Sequence, residues 1–123
     1  MGDSRQRYFN NLLARLSSRS PDVEGSAIVS RDGLIMAAHF PDGFDVDRMS
    51  AMSAAMLSLG DSICQELVRG GLEQIYIRGA SGYVILSAAG EDSVLAVLVR
   101  KRAKLGLVLS EMGRMIVYLD RLL

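Results

Sequence analysis

Two stretches in the second half of the chain, Tyr83 to Ala89 and Ser93 to Val99, read YVILSAA and SVLAVLV. An antiparallel strand with one wet face alternates apolar and polar residues, whereas nearly continuous apolar runs fit strands covered on both faces. Helices must therefore sit on either side of the sheet that contains them. Gly90-Glu91-Asp92 joins the two as a tight turn, and Ser81-Gly82 joins the first of them to a third segment, Leu72 to Arg78. The three form an antiparallel meander.

Upstream, Gly25 to Ser30 and Leu34 to Phe40 are rich in Ile, Val and Ala and are separated by Arg31-Asp32-Gly33. Asp-Gly between apolar runs is a hairpin signal, because both residues tolerate the positive φ of a type I′ turn. The helices are equally legible. Residues 3 to 18 place Tyr8, Phe9, Leu12, Leu13 and Leu16 at helical spacing with arginines opposite, and Ser17, Ser18, Ser20 and Pro21 end the pattern. A longer helix runs from Asp45, its N-cap, to about Arg69, where Arg69-Gly70-Gly71 reads as the C-cap; Phe44 before it is placed to staple onto Met49. The last helix starts near Gly106, with Leu105, Val108, Leu109, Met112, Ile116, Leu119 and Leu122 on one side. Its amino end has no good cap of its own, and Lys104 carries the wrong charge for that position. The order is helix, two strands, helix, three strands, helix. It predicts one α+β domain over residues 1–123, a three-layer α/β/α sandwich around a five-stranded antiparallel sheet.

Composition narrows the function. The 123 residues are half hydrophobic with zero formal net charge, ample for one core. No apolar run reaches the roughly 18 residues of a membrane span, and the amino terminus lacks a signal-peptide core, so a cytoplasmic protein without membrane insertion is expected. The lone Cys64 excludes an internal disulfide or a multi-cysteine zinc site and reads as a small buried hydrophobe. His39 reads as a partly exposed strand-end residue. No Gly-x-Ser-x-Gly elbow, Walker A loop or metal-ligand spacing is present, so no catalytic, cofactor or metal residue is assigned. Charge is uneven. Arg5, Arg7, Arg15 and Arg19 face only Asp3 in the first twenty residues, and Arg100-Lys101-Arg102-Ala103-Lys104 forms a second basic run. If the two fall on one side, the domain has a basic end. Without interleaved aromatics the basic run does not read as a nucleic-acid site; it fits a solvated loop, and next to that a contact with an acidic protein partner.

The central helix carries the functional signal. Met49 to Gly60 reads MSAMSAAMLSLG, without a single charge, where a surface helix normally shows one polar face. Met49, Met52, Met56, Leu59, Ile63 and Leu67 form one stripe, which is expected to close one face of the sheet. Ala51, Ala55, Ser58 and Ser62 form a second stripe of small residues that lets another helix approach closely. This stripe, together with Leu57, then needs cover from a partner. If the third strand lies at the sheet edge, its free hydrogen-bonding groups invite pairing with a second copy.

The segment Gly25 to His39, the uncharged stretch Met49 to Gly60, and Ser93 to Val99 followed by Leu105-Gly106 together resemble the roadblock family, the dynein light-chain and GTPase-regulator domain. The similarity covers nearly the whole chain. It implies a sheet with the central helix on one face and the terminal helices on the other. It also implies a homodimer, or a heterodimer with a similar chain, in which third strands pair edge to edge and central helices lie side by side. Bacterial and archaeal members of similar length commonly act with small Ras-like GTPases, some as activating proteins that reshape the GTPase. On that basis the dimer seam is expected at Ala51, Ala55, Ser58, Ser62, Gln74, Tyr76 and Arg78, and partner contacts at Met52, Leu57 and Arg48. The implied role is a non-enzymatic dimeric regulator or scaffold of a small GTPase; the alternative is a structural adaptor of a larger complex, without effect on nucleotide turnover.

Overall fold

The computed structural model describes residues 2–122; the side chains of Asp3 and Leu122 lie outside the described residues. The elements follow in the expected order: α1 (Gly2–Arg19), β1 (Val23–Ser30), β2 (Ile35–His39), α2 (Val46–Glu66), β3 (Gln74–Gly79), β4 (Gly82–Ala88), β5 (Ser93–Arg100) and α3 (Leu105–Leu122). The five strands form one antiparallel sheet in the order β2-β1-β5-β4-β3.

Strand β5 sits in the middle, which explains its unbroken apolar sequence. Its Leu95, Val97 and Val99 point to one face, where Phe9, Leu12, Leu13 and Leu16 of α1 and Val108, Met112, Met115 and Leu119 of α3 cover them. Its Val94 and Ala96 point to the other, where they join Ala27, Val29 and Leu86 beneath Met49 and Leu57 of α2. The result is the three-layer α/β/α sandwich.

Local details differ from the sequence reading, each for a physical reason. Between β1 and β2 only Gly33 takes a positive φ, +89°, so the connection is not a type I′ turn. Gly33 N–H bonds Ser30 C=O at 3.0 Å and Ser30 N–H bonds Leu34 C=O at 2.8 Å. This is the three-residue hairpin loop, a tight turn followed by a left-handed glycine. Phe44, placed by sequence to staple onto Met49, packs on Phe40. The two rings stack with 4.5 Å between centroids and close the loop before α2. Asp45 is the N-cap as expected, accepting the Arg48 N–H at 3.0 Å.

Helix α2 ends earlier than its glycines suggest. Arg69 N–H bonds Cys64 C=O at 2.7 Å and Val68 N–H bonds Gln65 C=O at 3.2 Å, the paired bonds of a Schellman motif. Its left-handed position is occupied by Val68, φ +54°, rather than by Gly70 two residues later. A β-branched residue is disfavoured there, and the Val68 side chain is almost fully exposed. Val68→Gly is expected to raise the unfolding free energy by about 1 kcal/mol, read as a higher midpoint in urea.

Helix α3 finds its cap at a distance in sequence. The Asp22 carboxylate accepts the Lys104 N–H at 2.9 Å and the Arg100 Nε–H, so the carboxylate that the first turn of α3 lacks arrives from the α1–β1 loop. The Lys104 N–H, followed by the Arg100 guanidinium, holds the Asp22 carboxyl below the usual carboxylate range against the opposing effect of burial. A depressed carboxylate pKa contributes stability that is present above the unfolded value and lost as pH falls through the folded one. Wild type is therefore expected to melt above Asp22→Asn at neutral pH, with the gap closing below about pH 4; thermal melts of both proteins across that range check it.

Candidate interaction surface

The orientation of α2 defines the surface. At about 100° per residue, positions 49, 53, 57 and 60 fall along one line, and that line meets the sheet. Met49, Ser50, Ser53 and Leu57 are buried, with Ser53 Oγ 3.4 Å from Met49 Sδ. Gly60 lies against Leu72 and Ile75: an added Cβ would stand 2.9 Å from Leu72 Cδ2. Small residues let α2 settle close to the sheet, because the strands already supply the bulk that fills the layer.

This corrects two expectations. The Met stripe does not close the sheet. Met49 is its only well-buried member; Met52, Leu59 and Ile63 are 51–57% exposed, and Met56 and Leu67 are open as well. Leu57 needs no partner, since it is 2% exposed and packs under α2 in the second core; it is removed from the partner-contact residues. Spacing alone could not distinguish two adjacent lines of a charge-free helix, and residue size misled because the larger side chains lie outside.

The flanks of α2 are unequal. On one, Ala54 lies against Gly33 of the β1–β2 loop, and Asp61 receives hydrogen bonds from the Arg31 guanidinium and from the Leu72 N–H at 3.3 Å. Arg31 also donates to Glu91 C=O at 2.9 Å, so one side chain ties hairpin, helix and β4–β5 turn together. The opposite flank carries Met52, Met56, Leu59 and Ile63, with no such tie among the described residues. Between the flanks, pointing away from the sheet, lie Ala51, Ala55, Ser58 and Ser62, all exposed, with Arg48 exposed beside them.

Strand β3 is an edge strand. It pairs with β4 alone, from Gln74 opposite Ser87 to Gly79 opposite Gly82. Ile75 packs beneath α2, so Ile77, two residues on, shares that face and is exposed. Gln74, Tyr76 and Arg78 lie on the opposite face, toward α1 and α3. Tyr76 OH donates to Gln74 Oε1, Gln74 Nε2 to Ser87 Oγ at 3.4 Å, and the Arg78 guanidinium stands 5.9 Å from the Tyr83 ring centroid. The structure thus places the expected strand residues on a bare edge. It adds Leu59, Ile63 and Ile77, which sequence reasoning did not assign to the contact surface. The signal of Leu59 and Ile63 was present in the stripe itself, misassigned to the interior; that of Ile77 depended on β3 being the edge.

Other candidates carry no geometry of their own. His39 is exposed at the end of β2 and Cys64 is half-buried. Among the described residues, no three His, Cys, Asp or Glu side chains converge as a metal site would require, and no helix is long and apolar enough to cross a membrane.

A five-stranded sandwich with a bare edge strand and an uncovered apolar helix flank defines a class of small α+β domain. The chain belongs to the Roadblock/LC7 domain family, whose sequence pattern it matches over residues 9–99. It is 34% identical over 109 residues to Uncharacterized protein MJ0714 of Methanocaldococcus jannaschii, covering 89% of this chain and 91% of that protein. The Roadblock/LC7 domain from Streptomyces avermitilis superposes with a TM-score of 0.84 at 27% identity, covering 89% of this chain and 92% of that one. Myxococcus xanthus MglB superposes with a TM-score of 0.89, covering 94% of each chain; at 16% identity this likeness concerns the fold.

Proposed function

We propose that this protein is a non-enzymatic dimeric regulator or scaffold of a small Ras-like GTPase in the cytoplasm. The observation that carries the reading is the bare edge of β3 beside the uncovered apolar flank of α2, in a chain of the Roadblock/LC7 family. Two copies meeting through β3 would continue one sheet across both, and two α2 flanks would cover each other's Met52, Met56, Leu59 and Ile63. Gln74, Tyr76 and Arg78 belong to this seam along the strand. The small stripe Ala51, Ala55, Ser58 and Ser62, expected from sequence at the dimer seam, points away from the sheet between the flanks, so we assign it instead to an uncharged, shallow platform rimmed by Arg48, and Met52 moves from partner contact to the seam. A platform of small side chains suits close approach by a folded partner, and a small GTPase is the partner that the family resemblance favours. The same seam accommodates a similar chain in a heterodimer.

The test is nucleotide turnover by the small GTPase that co-purifies with the protein, measured with and without it. A changed rate of hydrolysis or exchange that is lost in Ala55→Glu supports regulation. Stable binding with unchanged turnover assigns the structural adaptor role instead, and no binding to any GTPase contradicts the proposal.

A further inference from the structure

On the opposite side of the sheet from α2, a groove of about 340 Å³ runs between α1 and α3. Its floor is apolar, formed by Leu12, Leu16 and Met115 from the edge of the core. Its rims are basic. Arg15 and Arg19 stand one turn apart on α1, Arg114 and Arg121 two turns apart on α3, and one carboxylate, Glu111, lies among them. No ion pair among the described residues engages these four arginines, whose side chains are exposed. Tyr118, half exposed, adds an aromatic face to the lining.

The basic character continues past one end. Asp22, three residues after Arg19, holds the Lys104 N–H, so the loop bearing Lys101 and Arg102 sits at the Arg19 end of the groove. Arg15 and Arg19 thus share one end of the domain with the run Arg100 to Lys104, in a chain whose formal net charge is zero, whereas Arg5 lines a separate cleft with Glu91, Asp92 and Asp120.

We propose that this groove binds a short acidic peptide segment of a partner protein, one that interleaves carboxylates with apolar or aromatic side chains. Charge complementarity selects the carboxylates, because arginine presents a planar fork that pairs with them bidentately. The apolar floor and Tyr118 select the interleaved side chains. A concave groove with a greasy floor between charged rims fits a peptide better than a membrane surface, which a flat or convex basic face would meet. The distance from Arg114 to Arg121 is about 10 Å along the helix, so the occupant is short, three to four extended residues or two helical turns. The site lies on the face away from α2, so an acidic partner can be held while the seam and platform are occupied. It stands whether or not the GTPase reading does.

The test is fluorescence anisotropy with a fluorescein-labelled peptide alternating Glu or Asp with Leu or Phe. The comparisons are the same peptide with Lys in place of the acids, and co-sedimentation with phosphatidylserine–phosphatidylcholine vesicles. Saturable binding of the acidic peptide is expected, absent for the basic one. Arg15→Glu combined with Arg114→Glu should weaken it by at least about tenfold, whereas Arg69→Glu, at the end of α2, should change it by less than about twofold. Tyr118→Ala should weaken it by about three- to tenfold without changing the net charge. The proposal is overturned if the acidic peptide does not saturate, if Arg69→Glu weakens it as much as the groove variants, if Tyr118→Ala leaves it unchanged, or if the protein binds vesicles but not peptide.

Discussion

Replacing Met56 by aspartate is expected to abolish self-association while leaving the fold intact. Met56 lies on the uncovered flank of α2, with Met52 and Leu59 on either side and Ile63 two turns on; it is 36% exposed and is not one of the buried residues of the core beneath α2. In a symmetric dimer each substitution counts twice. Each copy forfeits about 1.5 kcal/mol or more of apolar burial and forces a carboxylate out of water, so the dimer dissociation constant should rise by at least about a hundredfold. Sedimentation velocity reads the shift. Thermal unfolding of the variant at monomer concentrations should lie close to that of the dissociated wild type.

The neighbouring residue should behave in the opposite way. Leu57 is buried against Ala27, Val29, Leu86 and Val94, so Leu57→Ala removes core contacts and leaves a cavity beneath α2. A loss of about 3 kcal/mol in unfolding free energy is expected, a large share of the stability of a domain this size. Measured in urea at a concentration where the monomer dominates, the midpoint should fall without a change in the surface exposed on unfolding. The contrast between adjacent residues is the useful part. If Leu57→Ala dissociated the dimer and Met56→Asp unfolded the monomer, α2 would have to be rotated from the orientation described.

That rotation is also where the sequence was least informative. Strand β5 announced its central position, since only a strand covered on both faces can read SVLAVLV, and the turn residues marked nearly every boundary. Asp45 declared the start of α2 through a local bond to Arg48, the kind of three-residue contact that sequence displays. The end of α2 did not, because Val68 rather than a glycine takes the left-handed position. Nor did the cap of α3, because Asp22 and Lys104 are far apart in the chain and meet only through the sheet.

The interaction surface was half legible for a related reason. A helix without charge reveals that more than one of its faces is dry, but not which face meets which neighbour. Size is a poor guide when the opposing strands are already full. Here Ser50, Ser53 and Gly60 turn to the sheet beside Met49 and Leu57, and Met52 and Met56 are left on the outer flank. Met is well suited to that exposure, since its flexible, polarisable side chain conforms to whatever covers it. The basic groove was visible in sequence only as an excess of arginine in α1 and a run after β5. Its floor and its α3 rim, Arg114 and Arg121, required the packing of two helices remote in the chain.

In the proposed dimer, two copies join through the edge of β3 with the α2 flanks together. Amide hydrogen exchange in β3, followed residue by residue as protein concentration is raised, tests it most directly. Alternate amides of β3 point away from β4 and have no partner in the monomer's sheet. Those amides should exchange fast in dilute solution and become protected as the dimer forms, together with slower exchange along α2, and Met56→Asp should return them to fast exchange. If self-association occurs and these amides stay unprotected, the copies meet elsewhere and the seam described here is wrong.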